Sequence, residues 1–345
     1  MLAFEFALIG FLVVTAGLVA IVRDPIGATA VFAAFSLGLA IIWVWLAAPD
    51  VGLTEAAVGA GVMVFLLLIA AVQTSEDGIY TGGFRWRSIN GSALLVVTAV
   101  ALLLAITVID FPKIGDLDAP AVRETDATGA GSPYAAYIGD PAMELGIPNT
   151  VATVLTIFRS LDTLGEVVVA FSAVIGVLII FGRTHITADP DRSTQARQIV
   201  HADPEMMSPV GMTAVRLVMP LVFVFGIYLT VQGTVQPGGG FQGGIVLGSA
   251  FVLMALIFGH RATAEWLDEG ILVWIVVLGM GTILLLVGGM AIIGVASDGV
   301  LYPIAPVYIA DLIEIGIGMA VGSVVIGLVV AMALGLDIET GGDRQ

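Results

Sequence analysis

The sequence predicts an all-α integral membrane protein with about nine transmembrane helices. Two observations carry that expectation. Hydrophobic residues make up 59% of the chain and charged residues 12%, and mean hydropathy is +1.07, far from the balance of a soluble domain. Apolar runs of about 20 residues, each long enough for a hydrocarbon core of about 30 Å, recur along the whole length, which favours helical spans over barrel strands.

The first span covers residues 2–22 and stops at Arg23-Asp24-Pro25, where charge and proline end a helix. Its start has neither a basic region nor a small-residue cleavage pattern, so it reads as a retained helix and not as a signal peptide. The second, residues 28–47, carries Trp43 and Trp45 near its end, as an interfacial aromatic belt requires. The third runs from Thr54 to residue 72, with Glu55 in its first turn. A polar connector with Arg85 and Arg87 leads to the fourth span, residues 91–108.

The longest loop, residues 110–149, is rich in Asp, Gly, Ala and Pro and reads as a soluble connector ordered in part by Tyr134 and Tyr137. A short helix, residues 151–158, is expected to break near Arg159 before the fifth span, residues 161–181. After the linker 182–208 come four spans, residues 213–231, 243–258, 270–293 and 310–334. Pro220 is expected to kink the first of these, where Arg216 snorkels or pairs with an acid.

With the N-terminus outside, the inner loops hold Arg23, Arg85, Arg87, Arg183, Arg192, Arg197, Arg261 and Arg344, and the outer loops hold only Lys113 and Arg123. The positive-inside bias therefore favours an outer N-terminus and an inner C-terminus.

Composition also narrows function. The chain has no Cys, which excludes disulfides, iron–sulfur ligation and thiolate zinc sites within this subunit. His185, His201 and His260 fall in loops without metal-ligand spacing, so no metal or cofactor is expected. A net charge of −16 argues against nucleic-acid binding. The basic set is eleven Arg and one Lys, a bias that suits either a salt-rich cytoplasm or a GC-rich genome.

Four features carry candidate chemistry. Arg159, Asp162 and Glu166 stand inside an otherwise apolar segment, and an ionisable group at bilayer depth costs at least about 2.5 kcal/mol. Their spacing puts all three on one face of an unbroken helix, either as a proton or cation path or as a structural ion pair between Arg159 and Asp162. Glu55 precedes small residues at Ala57, Gly59 and Gly61. It is either a protonatable group at a channel mouth, with Gly59 and Gly61 permitting a π-bulge, or a first-turn acid capped by Thr54. Asp311 and Glu314 lie one turn apart, as an ion site or an acidic rim, and like charges that close do not both ionise cheaply. The run Pro237-Gly238-Gly239-Gly240-Phe241-Gln242-Gly243-Gly244 lacks the preceding strand and basic partner of a nucleotide loop, and is expected to form a tight re-entrant or packed turn.

Three of these motifs together resemble one family set. The stretch from Ala48 to Gly61 is similar to the small D-type membrane component of membrane-bound hydrogenases, a module also found in the C-terminal part of the large A-type component of Mrp sodium/proton antiporters. Phe158-Arg159-Ser160-Leu161-Asp162-Thr163-Leu164-Gly165-Glu166 resembles the neighbouring E-type module, and Pro237 to Gly244 resembles the B-type component of Mrp antiporters. The resemblance implies three modules: a D-type with three spans at residues 1–80, an E-type with two at 85–190, and a B-type with four at 205–340.

It further implies a non-enzymatic transport subunit of a prokaryotic cell membrane, exchanging Na+ for H+ within a complex related to the membrane arm of respiratory complex I. Glu166 would move ions with Asp162 and Arg159 beside it, and Glu55, Asp311 and Glu314 would line the path. No span contains Lys, so the Lys-bearing helices of the large antiporter-like subunit belong to another chain, as does a small complex I-like three-helix subunit. The competing expectations are a subunit of a redox-driven ion pump and a purely structural scaffold.

Overall fold

A computed structural model of the chain describes residues 2–22, 24–74, 91–113, 116–123, 132–137, 145–184, 209–258, 269–296 and 306–334. The elements among them are all helical. They are α1 (Leu2–Ile21), α2 (Pro25–Trp45), α3 (Pro49–Thr54), a π-helical segment (Glu55–Val62) that continues into α4 (Met63–Thr74), α5 (Gly91–Ile109) and α6 (Pro133–Tyr137). There follow α7 (Thr150–Thr153), a second π-helical segment (Val154–Phe158), α8 (Ser160–Thr184), α9 (Pro209–Gln232), α10 (Gly240–Phe258), α11 (Glu269–Ala296) and α12 (Pro306–Leu334). Among the described residues seven helical stretches are long and apolar enough to cross a membrane, and Gly240–Met254 and Trp274–Met290 are shorter apolar helices. His185, His201 and His260, and seven of the eight arginines expected in the inner loops, lie outside the described residues; Arg183 lies at the end of α8.

Two starts differ from expectation. The third span begins at Pro49, not Thr54, because proline at N1 presets the helical φ and brings no N–H that needs a partner. Thr54 is therefore no N-cap; its hydroxyl donates to the Asp50 carbonyl at 2.9 Å, one turn back. The last helix likewise starts at Pro306, which carries Asp311 and Glu314 deeper than a first turn. Pro220 lies inside α9, which continues past it to Gln232.

Helix α12 is the centre of the bundle. Ile309, Ile313, Ile317, Val321 and Val325 are buried among Ile245 and Val252 of α10, Ile283 and Val287 of α11 and Val167 of α8. In lipid such contacts gain little from water release, so close packing has to hold the helices together. Glycines make it possible: a Cβ on Gly244 would lie 2.6 Å from the Gly318 carbonyl, and one on Gly279 would lie 2.6 Å from the Gly316 carbonyl. Phe223 and Phe251 add an edge-on aromatic contact between α9 and α10, with centroids 4.9 Å apart.

The N-terminal helices form a smaller unit in which α2 packs on α1, α3 and the first π-helical segment, and that segment meets α10. Trp45 donates to Glu5 at 3.2 Å and its ring lies 5.4 Å from Phe4, tying the start of α1 to the end of α2. Every residue of α5 is exposed. In the long connector, Tyr137 stacks edge-on against Phe158 at 5.5 Å, while Tyr134 is exposed.

Candidate ion pathway

The loop between α9 and α10 is the hub. Gly238 and Gly239 have φ of 150° and 145°, a region open to glycine and strained for other residues, so the chain turns sharply from α9 into α10. It is a packed turn: the Gly239 N–H donates to the Leu229 carbonyl at 3.0 Å. Gly240 opens α10, and its N–H donates to Oε2 of Glu314, which is only 4% exposed. A carboxylate at a helix N-terminus meets unpaired N–H groups and the positive end of the dipole, which is how this one is tolerated in the core. Phe241 packs on the core beside it, and a Cβ on Gly243 would lie 2.7 Å from the Gly226 carbonyl.

Three groups that the sequence does not single out individually as site residues hold the same loop. Asp50, 7% exposed, accepts through Oδ1 from the Gly238 N–H at 2.9 Å and from Asn149 Nδ2 at 3.1 Å. Asn149 Nδ2 also reaches the carbonyls of Gly233 at 2.8 Å and Gln236 at 3.1 Å, and its Oδ1 caps α7 through the Val151 and Ala152 N–H groups. Gln242 donates to Thr54 Oγ1 at 2.8 Å. Asp311 accepts from the Thr234 hydroxyl at 2.6 Å. The starts of α3, α7, α10 and α12 thus gather at one end of the bundle, with Asp50 and Asp311 each within electrostatic reach of Glu314.

Glu55 opens the first π-helical segment and is half-buried. Its carboxylate accepts from the hydroxyl of Ser36, which is fully buried on α2, and the same hydroxyl lies 3.3 Å from the Glu55 carbonyl. Gly59 sits against this pair and Gly61 is open to its surroundings, both within the π-helical segment. Gly61 and Val62 of that segment and Phe65 border a half-open apolar cavity of about 220 Å³ that is also lined by Ser249, Val252, Leu253, Val325 and Val329.

Arg159, Asp162 and Glu166 are placed differently. The helix does not run unbroken through them: Arg159 has φ −126° and ψ 33°, and its N–H donates to the Val154 carbonyl at 2.8 Å, closing the second π-helical segment. The Thr163 hydroxyl bridges the break by donating to the Leu155 carbonyl at 2.8 Å. Arg159 Nε still reaches Asp162 Oδ2 at 2.6 Å, but those side chains are 58% and 55% exposed, and Glu166 is exposed beside them. The structure therefore does not bring this trio together with Glu55, Asp311 and Glu314. Among the described residues no group of three or more His, Cys, Asp or Glu is arranged to hold a metal ion.

Comparison with known proteins matches both ends of the chain. Residues 10–76 match the family model for MbhD, the D component of MBH, and residues 210–336 match a domain related to the MnhB subunit of Na+/H+ antiporters. The chain is an MbhD-like domain fused to an MnhB-related domain. The hub lies between them, since Asp50 and Glu55 belong to the MbhD-like domain and the glycine loop and Glu314 to the MnhB-related domain.

An uncharacterized protein of Methanocaldococcus jannaschii is 33% identical over 160 residues, covering 43% of this chain and 58% of its own. A probable A/B component of a K+/H+ antiporter of Rhizobium meliloti is 23% identical over 262 residues, covering 68% of this chain. This chain thus spans 58% of the archaeal relative and 24% of the rhizobial one. The fold is that of part of the Mrp complex of Dietzia sp. DQ12-45-1b, with a TM-score of 0.65 and 22% identity over 99% of this chain and 35% of that one. The protein is a multi-pass membrane protein by its apolar helices, and its two matched domains are related to components of MBH and of Na+/H+ antiporters.

Proposed function

We propose that this chain is a non-enzymatic subunit of a cation/proton antiporter in a prokaryotic cell membrane, exchanging Na+ for H+, and that its buried acids lie on the ion path. The observation that carries this reading is Glu314: a carboxylate buried in a helix long and apolar enough to cross a membrane, held by a backbone N–H of the glycine loop in a domain related to an antiporter subunit. Glu55 is the second such group, on the π-helical segment that contains Gly59 and Gly61. Arg159, Asp162 and Glu166 face outward, where the large antiporter-like subunit with its Lys-bearing helices and the small three-helix subunit would cover them. Residues 85–190 would then form the E-type module between the two matched domains.

Nine crossings, with the N-terminus outside and the C-terminus inside, accord with this arrangement. The second, fourth and sixth connections lead into the hub, as alternate connections of a nine-span chain must if they share one membrane face. The test is purification of the intact complex through this chain, its subunits identified by mass spectrometry, followed by reconstitution into proteoliposomes. Exchange of Na+ for H+, lost in Glu314→Gln and Glu166→Gln complexes that still assemble, is the expected result. Full exchange in both variants overturns the residue assignment. The MbhD match keeps a redox-driven ion pump as the second reading, and iron–sulfur subunits in the purified complex would favour it.

A further inference from the structure

We infer that Asp50 is a positioning residue for Glu314, acting through the glycine loop that the two carboxylates grip from opposite sides. This deepens the antiporter reading, and its transport arm rests on that reading. Asp50 takes the Gly238 N–H at 2.9 Å, and Glu314 takes the Gly240 N–H two residues on. Between them Gly238 and Gly239 have φ of 150° and 145° and no side chains to hold the turn by packing. The loop's shape is therefore set by what holds its N–H groups, and Asp50 is the clamp at its entrance. A carboxylate acceptor makes a charge-assisted bond, about twice as strong as a neutral one.

Two further contacts give Asp50 its own support. Asn149 donates to the same Oδ1 while its main-chain N–H donates to the Thr234 carbonyl at 2.9 Å, so the clamp is braced from the segment that leads into Arg159. Gln242 lies 3.4 Å from the Asp50 carbonyl while it holds Thr54, which fixes the first turn of α10 against α3. Glu314 is therefore presented at the N-terminus of α10 only when the MbhD-like and MnhB-related domains are docked through Asp50. The site belongs to both domains.

The experiment compares wild-type complex with Asp50→Ala and Asp50→Asn by two readouts. In hydrogen–deuterium exchange of the purified complex, residues 233–243 exchange faster in Asp50→Ala by about tenfold or more, as loss of a charged hydrogen bond requires, while 269–296 is unchanged. Asp50→Asn keeps a neutral acceptor and falls between the two, so it decides the question where alanine prevents assembly. Unchanged loop exchange in both variants overturns the inference. In proteoliposomes, Asp50→Ala lowers turnover at saturating Na+ by about tenfold and moves the Na+ KM less. A raised Na+ KM with turnover unchanged overturns the coupling to Glu314. A wild-type complex that exchanges no cations for protons defeats the antiporter reading alone, because loop exchange reports on Asp50 without transport.

Discussion

Glu314 and the pair Arg159–Asp162 are both charges in apolar stretches of the chain, yet the chain treats them in opposite ways. Glu314 is buried and held by this chain's own glycine loop, whereas Arg159 and Asp162 are more than half exposed and pair with each other. The difference separates two functions of intramembrane charge. A site completed within one chain depends on that chain's tertiary packing; a site left on its surface at membrane depth needs another protein, because lipid offers no partner.

The sharpest way to break the comparison is at Gly240. A Cβ there would overlap the Glu314 carbonyl, a backbone group with nowhere to move, so Gly240→Ala should cost about 3 kcal/mol or more and prevent assembly on a native gel. Assembly at wild-type yield would mean that α10 and α12 are not as close as described. Next in size is Gly59→Ala, whose Cβ would lie 2.6 Å from Glu55 Oε1; about 1–3 kcal/mol of lost stability should appear as a lower melting temperature of the complex.

Gly61→Ala is its control. The nearest atom to that Cβ is the Ala56 carbonyl at 3.6 Å, so the same melting measurement should show no loss, and alanine's better helical preference favours a small gain. The smallest effect on the chain itself belongs to Arg159→Ala. An exposed ion pair contributes about 0–1 kcal/mol, so the melting point of the isolated chain in detergent should barely move. Recovery of partner subunits with the variant should fall instead; unchanged recovery would mean that no partner covers this face.

Much of this is legible in the residues alone. The apolar runs, the break near Arg159 and the turn at Pro237 to Gly240 are local properties, written in hydropathy, spacing and glycine content. The helix starts are less legible, since Thr54 looks like a cap and Pro49 like part of the loop before it. Asn149 and Ser36 carry no signal as site residues, and Asp50 and Gln242 stand within motif stretches without being singled out. Asp50 and Asn149 are separated by 99 residues and Asp50 and Gly238 by 188, and no periodicity records a hydrogen bond across such distances.

The sequence by itself determined that the chain is helical, membrane-spanning and studded with a few charges, because the cost of exposing backbone and charge to lipid leaves few alternatives. It also put Arg159 and Asp162 in reach of each other, since they stand three residues apart across the start of one helix. Only the tertiary structure decided which charges are internal. Helical periodicity says which residues share a face and nothing about whether that face meets α10, a partner or lipid. Glu314 is enclosed and Glu166 exposed because glycines at residues 240, 244 and 318 let two distant helices meet over one acid and not the other.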